Sequence, residues 1–131
     1  MNSFGPQIPS SELHRTHFFA YGLGGADKHG PNDAPKMYTL ASLMRMNGHT
    51  HIDVLKIDIE GWEFGTLETI ARSYLATDDG PLPFGQLQLE IHLWHKSFAD
   101  ILGWWETLER AGLRPFMTEV RCFCILAMQK G

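Results

Sequence analysis

Asp53-Val54-Leu55-Lys56-Ile57-Asp58-Ile59-Glu60-Gly61-Trp62-Glu63 decides how the rest of the chain is read. Lys56 and Asp58 alternate with Leu55, Ile57 and Ile59, the period-two pattern of a strand. The apolar run ends in a carboxylate, and Gly61 then releases the chain into a segment rich in helix formers. In an α/β sheet, polar groups reach a ligand in this way, from the carboxyl ends of buried parallel strands. The stretch is therefore expected at the centre of a sheet, with Asp58 and Glu60 at its ligand-facing end.

The chain on either side alternates between strand and helix patterns. Upstream, Met1 to Leu13 is an irregular lead-in with two prolines, and His17 to Leu23 is a short aromatic and apolar run, predicted as a strand. It closes into Gly24-Gly25-Ala26-Asp27 and a polar loop through Pro31 and Pro35. A short helix is predicted from Thr39 as N-cap to Asn47-Gly48 as stop signal, with Leu40, Leu43 and Met44 on one face.

Downstream of Gly61, Leu67, Ile70, Ala71 and Tyr74 mark the apolar face of a helix, and Glu68 and Arg72 are spaced for an ion pair on it. Asp78 to Pro83 is a loop. Gln86 to Trp94 alternates strictly, with Leu87, Leu89, Ile91 and Leu93 on one face and Gln86, Gln88, Glu90 and His92 on the other. Phe98, Ile101, Leu102, Trp105 and Leu108 form the expected apolar stripe of a last helix, with Gly112 past its end. Arg114 to Val120 and Phe123 to Gln129 are expected to pair as an antiparallel hairpin. This order predicts an α/β domain: a mostly parallel, twisted sheet with helices on both faces and the hairpin closing one edge.

With 131 residues, the chain suffices for one domain and is too short for two. A net charge of −4 without any run of Lys or Arg gives no support to a nucleic-acid phosphate footprint. No apolar stretch approaches the ~20 residues of a membrane-spanning helix, and the first residues lack the pattern of a signal peptide. Cys122 and Cys124 would lie on one face of a strand, read as two small buried side chains. These features together favour a reducing, cytoplasmic setting.

The phrase from Ile52 to Glu63, strand then D-x-E-G-x-E then helix, resembles the signature of FkbM-type and related methyltransferase-like proteins. Gly22-Leu23-Gly24-Gly25, Leu89-Glu90-Ile91-His92-Leu93-Trp94 and Trp104-Trp105-Glu106-Thr107-Leu108-Glu109 leading into Gly112-Leu113 are similar to the same group, in the same order. The resemblance implies a class I fold, a doubly wound Rossmann-like sheet, and S-adenosylmethionine as cofactor. It also implies that the family's Gly-rich turn and its first two strands are missing here. Ser3-Phe4-Gly5-Pro6 resembles the end of the second strand, and Gly5 stands where the family has its ribose-binding acid. In the family's order those strands lie between the strand at His17 to Leu23 and the strand at Asp53 to Ile59. Strand edges left open there would call for a rearrangement, a partner chain or dimer, or the rest of a larger protein.

Under the resemblance Asp58 lies beside the cofactor's methyl group, near the acceptor; a helix N-terminal acid is the plain alternative. Glu60 could orient an acceptor hydroxyl or help cap the next helix, and Glu63 is expected to cap or solvate its first turn. Glu90 and His92 share a polar strand face that would approach Asp58 and Glu60. His92 could take an acceptor's proton, or the pair could simply steady the sheet by hydrogen bonding. His95 is a weaker substrate-binding candidate in a loop, and His49 and His51 are expected at the surface. Asp27 lies where class I enzymes contact adenine, although an Asx turn explains it equally well. Trp94, Trp104 and Trp105 are expected in the core.

Three functions follow. The first is methyl transfer, on an oxygen of a small-molecule or glycan-like acceptor, with Asp58, Glu60 and His92 catalytic. The second is a non-catalytic remnant or partner subunit. The third is a metal-dependent hydrolase using Asp58, Glu60, Glu90 and His92; the leading function assigns no metal ligands.

Overall fold

The computed structural model describes residues 14–76, 81–120 and 124–130. Its elements run β1 (Tyr21–Leu23), β2 (Lys36–Tyr38), α1 (Leu40–Asn47), β3 (Ile52–Ile57), α2 (Glu63–Ala76), β4 (Phe84–Ile91), α3 (Phe98–Arg110), β5 (Leu113–Val120) and β6 (Cys124–Lys130). The fold is mixed α/β, with three helices and two small sheets among the described residues. The lead-in, Gly5 and Cys122 lie outside the described residues, as does most of the acidic turn before Pro81.

Four strands form the main sheet, in the order β3-β4-β6-β5. β3 and β4 are parallel, with Ile52 opposite Phe84 and Ile57 opposite Leu89. β6 lies antiparallel between β4 and β5, so the C-terminal hairpin extends the sheet through its second strand. Two of the three pairings are thus antiparallel, and the sheet is mixed rather than mostly parallel. β1 does not join it. It pairs parallel with β2 in a separate two-stranded sheet, and among the described residues no strand fills the gap between β1 and β3. β2 falls within the stretch expected as loop. Its place is held by backbone bonds of Met37 to Lys28 on both sides (2.9 and 2.7 Å) and by the Tyr38 ring against those of Tyr21 and His29. The strand expected over His17 to Leu23 is confined to its last three residues.

The core gathers on one face of the sheet. Ile57, Leu87, Leu89 and Met128 are buried there with Leu67, Ile70 and Ala71 of α2, Leu40 and Met44 of α1, and Trp104 and Leu108 of α3. Val54, Lys56 and Gln88, on the alternate positions, are exposed. The expected second helical layer is therefore not present among the described residues.

The helices have local reasons to start and stop. Thr39 Oγ1 accepts the Ser42 N–H at 3.2 Å, and Gly48 ends α1 in the left-handed conformation. Ser97 and Asp100 form a reciprocal capping box on α3. The buried face of α3 is only part of the stripe expected: Leu108 is fully buried and Ile101 and Trp105 pack against the core, but Phe98 is 79% exposed and Leu102 also faces solvent, whereas Trp104 is 6% exposed. Two apolar arcs compete on this helix. The arc with Trp104 wins because its ring packs 4.5 Å from that of Phe64 and its Nε1–H donates to the Phe64 carbonyl at 3.2 Å. Trp105 is half-buried against the same core.

Candidate functional site

Register brings the acids together. Ile57 of β3 faces Leu89 of β4, so Asp58 and Glu90 are the next residues along two neighbouring parallel strands. Glu60 and His92 follow two residues later on each. One ligand atom each from Asp58, Glu90 and His92 lies within 4.8 Å of the other two. Glu60 Oε2 is 3.6 Å from His92 Nε2, although the Glu60 side chain is largely exposed. The sequence-based expectation that these four residues share one place agrees with the geometry.

A tight turn follows β3. Glu60 and Gly61 both have positive φ, 53° and 95°. Glycine carries that conformation without a Cβ penalty, and glutamate carries it at a cost of order 1 kcal/mol. The turn points Glu63, the first residue of α2, back under the loop that precedes it.

Glu63 is the residue whose position the sequence concealed. Expected to cap or solvate the helix, it is 0% exposed. Oε1 accepts the Ile59 N–H at 3.1 Å and Oε2 accepts the Gly61 N–H at 2.9 Å. Oε1 also lies 2.9 Å from His92 Nδ1. With the Glu63 carboxylate oxygen as acceptor, the Nδ1–H of His92 donates to it, and Nε2 is turned towards Glu60. The single signal available beforehand was an acid three residues beyond Glu60, on the far side of a glycine.

His92 was expected on an open polar strand face. β4 ends at Ile91, and beyond that point the alternation breaks: His92 is 4% exposed while Leu93 faces solvent. Burial is the largest single influence on its protonation and disfavours the charged ring. The hydrogen bond to Glu63 and the charges of Glu63, Glu60 and Glu90 together outweigh it, and the pKa of His92 is raised above the ordinary 6.5. Trp94, expected in the core, is half exposed and tilts over the imidazole at 4.9 Å.

Two other candidates stand apart. The Asp27 carboxylate accepts from Ser42 Oγ and from the Thr39 N–H, both at 2.6 Å, and so ties the Gly24-Gly25 turn to the start of α1. These bonds, Ser42 first, lower its pKa. His95 occupies the exposed turn before α3 with φ 57°, and no contact joins it to the cluster among the described residues.

A cavity of about 370 Å³ opens at the Gly61 turn, and none of the four cluster residues lines it. It is bounded by Gly24, Gly25 and Ala26 on one side and by Gly61, Trp62 and Phe64 on the other, with Lys28 and Lys96 at its rim. Gly25 packs so closely that a Cβ there would meet the Gly65 carbonyl and Thr69 Oγ1 at 2.9 Å. Thr66 also lines the cavity, and its buried Oγ1 has no hydrogen-bond partner among the described residues.

Residues 2–115 match the family model of the methyltransferase FkbM domain. No solved structure matches the chain. The match spans most of the sequence, and the chain belongs to the FkbM methyltransferase-domain family.

Proposed function

We propose that this FkbM-domain chain forms the acceptor side of an S-adenosylmethionine-dependent O-methyltransferase. The observation that carries the proposal is the Glu63–His92 pair, which holds an oriented imidazole beside Asp58, Glu60 and Glu90 at the carboxyl ends of two parallel strands. An acceptor hydroxyl placed against this cluster is aligned by the carboxylates and gives up its proton there. The class I reading of the sheet, with further strands beyond β3, belongs to the same proposal.

S-Adenosylmethionine supplies an electrophilic methyl group when bound. The residues present fit one end of it. The cavity walled by glycine backbone, Met37, Trp62 and Phe64 suits a flat purine, and the unpartnered Thr66 hydroxyl offers it a polar contact. Asp27, expected at the adenine, has both carboxylate oxygens engaged by Thr39 and Ser42, and the ribose position, Gly5, lies outside the described residues. Support within the described residues is thus confined to the purine end, and no step is derived through the cofactor. Calorimetry of the chain with S-adenosylmethionine and with S-adenosylhomocysteine tests the proposal. Saturable heat with either supports it, and a folded chain giving none overturns binding by this chain alone.

A second reading, a non-catalytic partner subunit, is favoured by β3. Among the described residues it is paired on one side only, and Val54 and Lys56 are exposed. A free edge of this kind accepts another strand. Self-association by light scattering supports this reading, and a monomer at all concentrations counts against a homodimer.

A further inference from the structure

We propose that Asp58, Glu90 and His92 bind one divalent cation of the first transition row, for which Mn2+ is the fitting probe. Their ligand atoms already lie within 4.8 Å of one another. Around an octahedral cation with bonds of about 2.1 Å, ligand atoms stand roughly 3 to 4.2 Å apart, so side-chain rotations at Asp58 and Glu90 suffice to close the site. Asp58 is exposed and Glu90 half-buried, which leaves both free to make them.

What separates this group from an ordinary cluster of surface acids is its imidazole. His92 is 4% exposed and its Nδ1–H is held by a carboxylate that is itself wholly buried. A carboxylate behind a histidine is the arrangement that fixes which nitrogen faces a metal and raises its basicity. Glu63 also receives two backbone N–H groups, so it is immobile and spoken for. No Lys or Arg pairs with Asp58 or Glu90 among the described residues. Two carboxylates with one imidazole suit Mn2+ and its neighbours better than Ca2+, which prefers oxygen alone. Three coordination positions would stay open for water or for oxygens of an acceptor. With His92 committed as a ligand, Glu60, adjoining the trio, takes over as the acceptor's base.

The inference concerns the same residues as the proposed methyl transfer but does not require it, and its test contains no S-adenosylmethionine. The chelator-stripped chain is titrated with Mn2+ while the electron paramagnetic resonance signal of the free ion is followed. One ion per chain is expected. Asp58→Asn and Glu90→Gln should each weaken binding at least tenfold, and Glu63→Gln by roughly 10- to 100-fold without touching the ion. Asp53→Asn, at the opposite end of β3, should leave binding unchanged. Circular dichroism confirms that each variant is folded. Absence of saturable binding overturns the inference, as does binding indifferent to Asp58→Asn and Glu90→Gln.

Discussion

Glu63 and His92 meet at 2.9 Å, 29 positions apart in sequence, and neither side chain reaches solvent to any useful extent. One comes from the first turn of a helix and the other from just past the end of a strand. The contact therefore locks α2 to β4 at the point where the acids of β3 gather.

Removing one member of that pair should cost far more than a surface acid. Glu63→Ala leaves the Ile59 and Gly61 N–H groups and the His92 ring without their acceptor. A loss of about 3–5 kcal/mol is expected, as for other broken buried charge pairs. Glu60→Ala, on an exposed side chain, should change stability by less than 1 kcal/mol. Urea denaturation of the two variants gives the comparison.

Stability should also follow the titration of His92. Its pKa is raised in the folded chain, so its contribution is complete below the unfolded value of about 6.5 and is lost as pH climbs through the folded value. In metal-free buffer the denaturation midpoint should fall over that window. His92→Gln should flatten the dependence, and an imidazole resonance titrating above the ordinary value would confirm its origin.

Asp27 is a structural carboxylate by its contacts. Asp27→Ala should lower stability by about 1 kcal/mol or somewhat more, through loss of the bonds from Thr39 and Ser42. Its lowered pKa adds a sign: the contribution is present above the unfolded carboxylate value and is lost as pH falls through the folded one. Thermal melts at pH 7 and pH 3 should show the variant's deficit shrinking in acid.

The face of α3 can be tested directly. Trp104→Ala should cost about 3–5 kcal/mol by opening a cavity between α2 and α3. Phe98→Ala should cost under 0.5 kcal/mol, because its ring faces solvent. Equal effects would restore the stripe that hydrophobic spacing alone suggests.

Much of the frame was legible where one residue type has one physical use. Thr39 and Gly48 bracket α1 as their cap chemistry predicts, and Leu67, Ile70 and Ala71 admit a single buried face for α2. The Glu68–Arg72 pair forms at 2.6 Å on the surface, where it is worth little. On α3, Leu108, Ile101 and Trp105 face the core as expected, but Phe98 and Leu102 were misread because with Trp104 they supply more apolar surface than one face can bury, and only a carbonyl on another helix chooses between the arcs. Three-residue β2 is too short for periodicity to register. Within the site, the convergence of Asp58, Glu60, Glu90 and His92 followed from adjacent parallel strands. Glu63 did not, since an acid in a first helical turn has the same sequence whether water or a histidine receives it.

The unequal burial of these acids has an evolutionary consequence. Asp58 and Glu60 are exposed and Glu90 only half-buried, so they are exchanged at less cost once selection on activity is relaxed. Glu63 and His92 are not, because each loss strands the other in the interior. A descendant that had given up its chemistry would shed the exposed acids first and keep the buried pair, a fossil of the site preserved by folding alone.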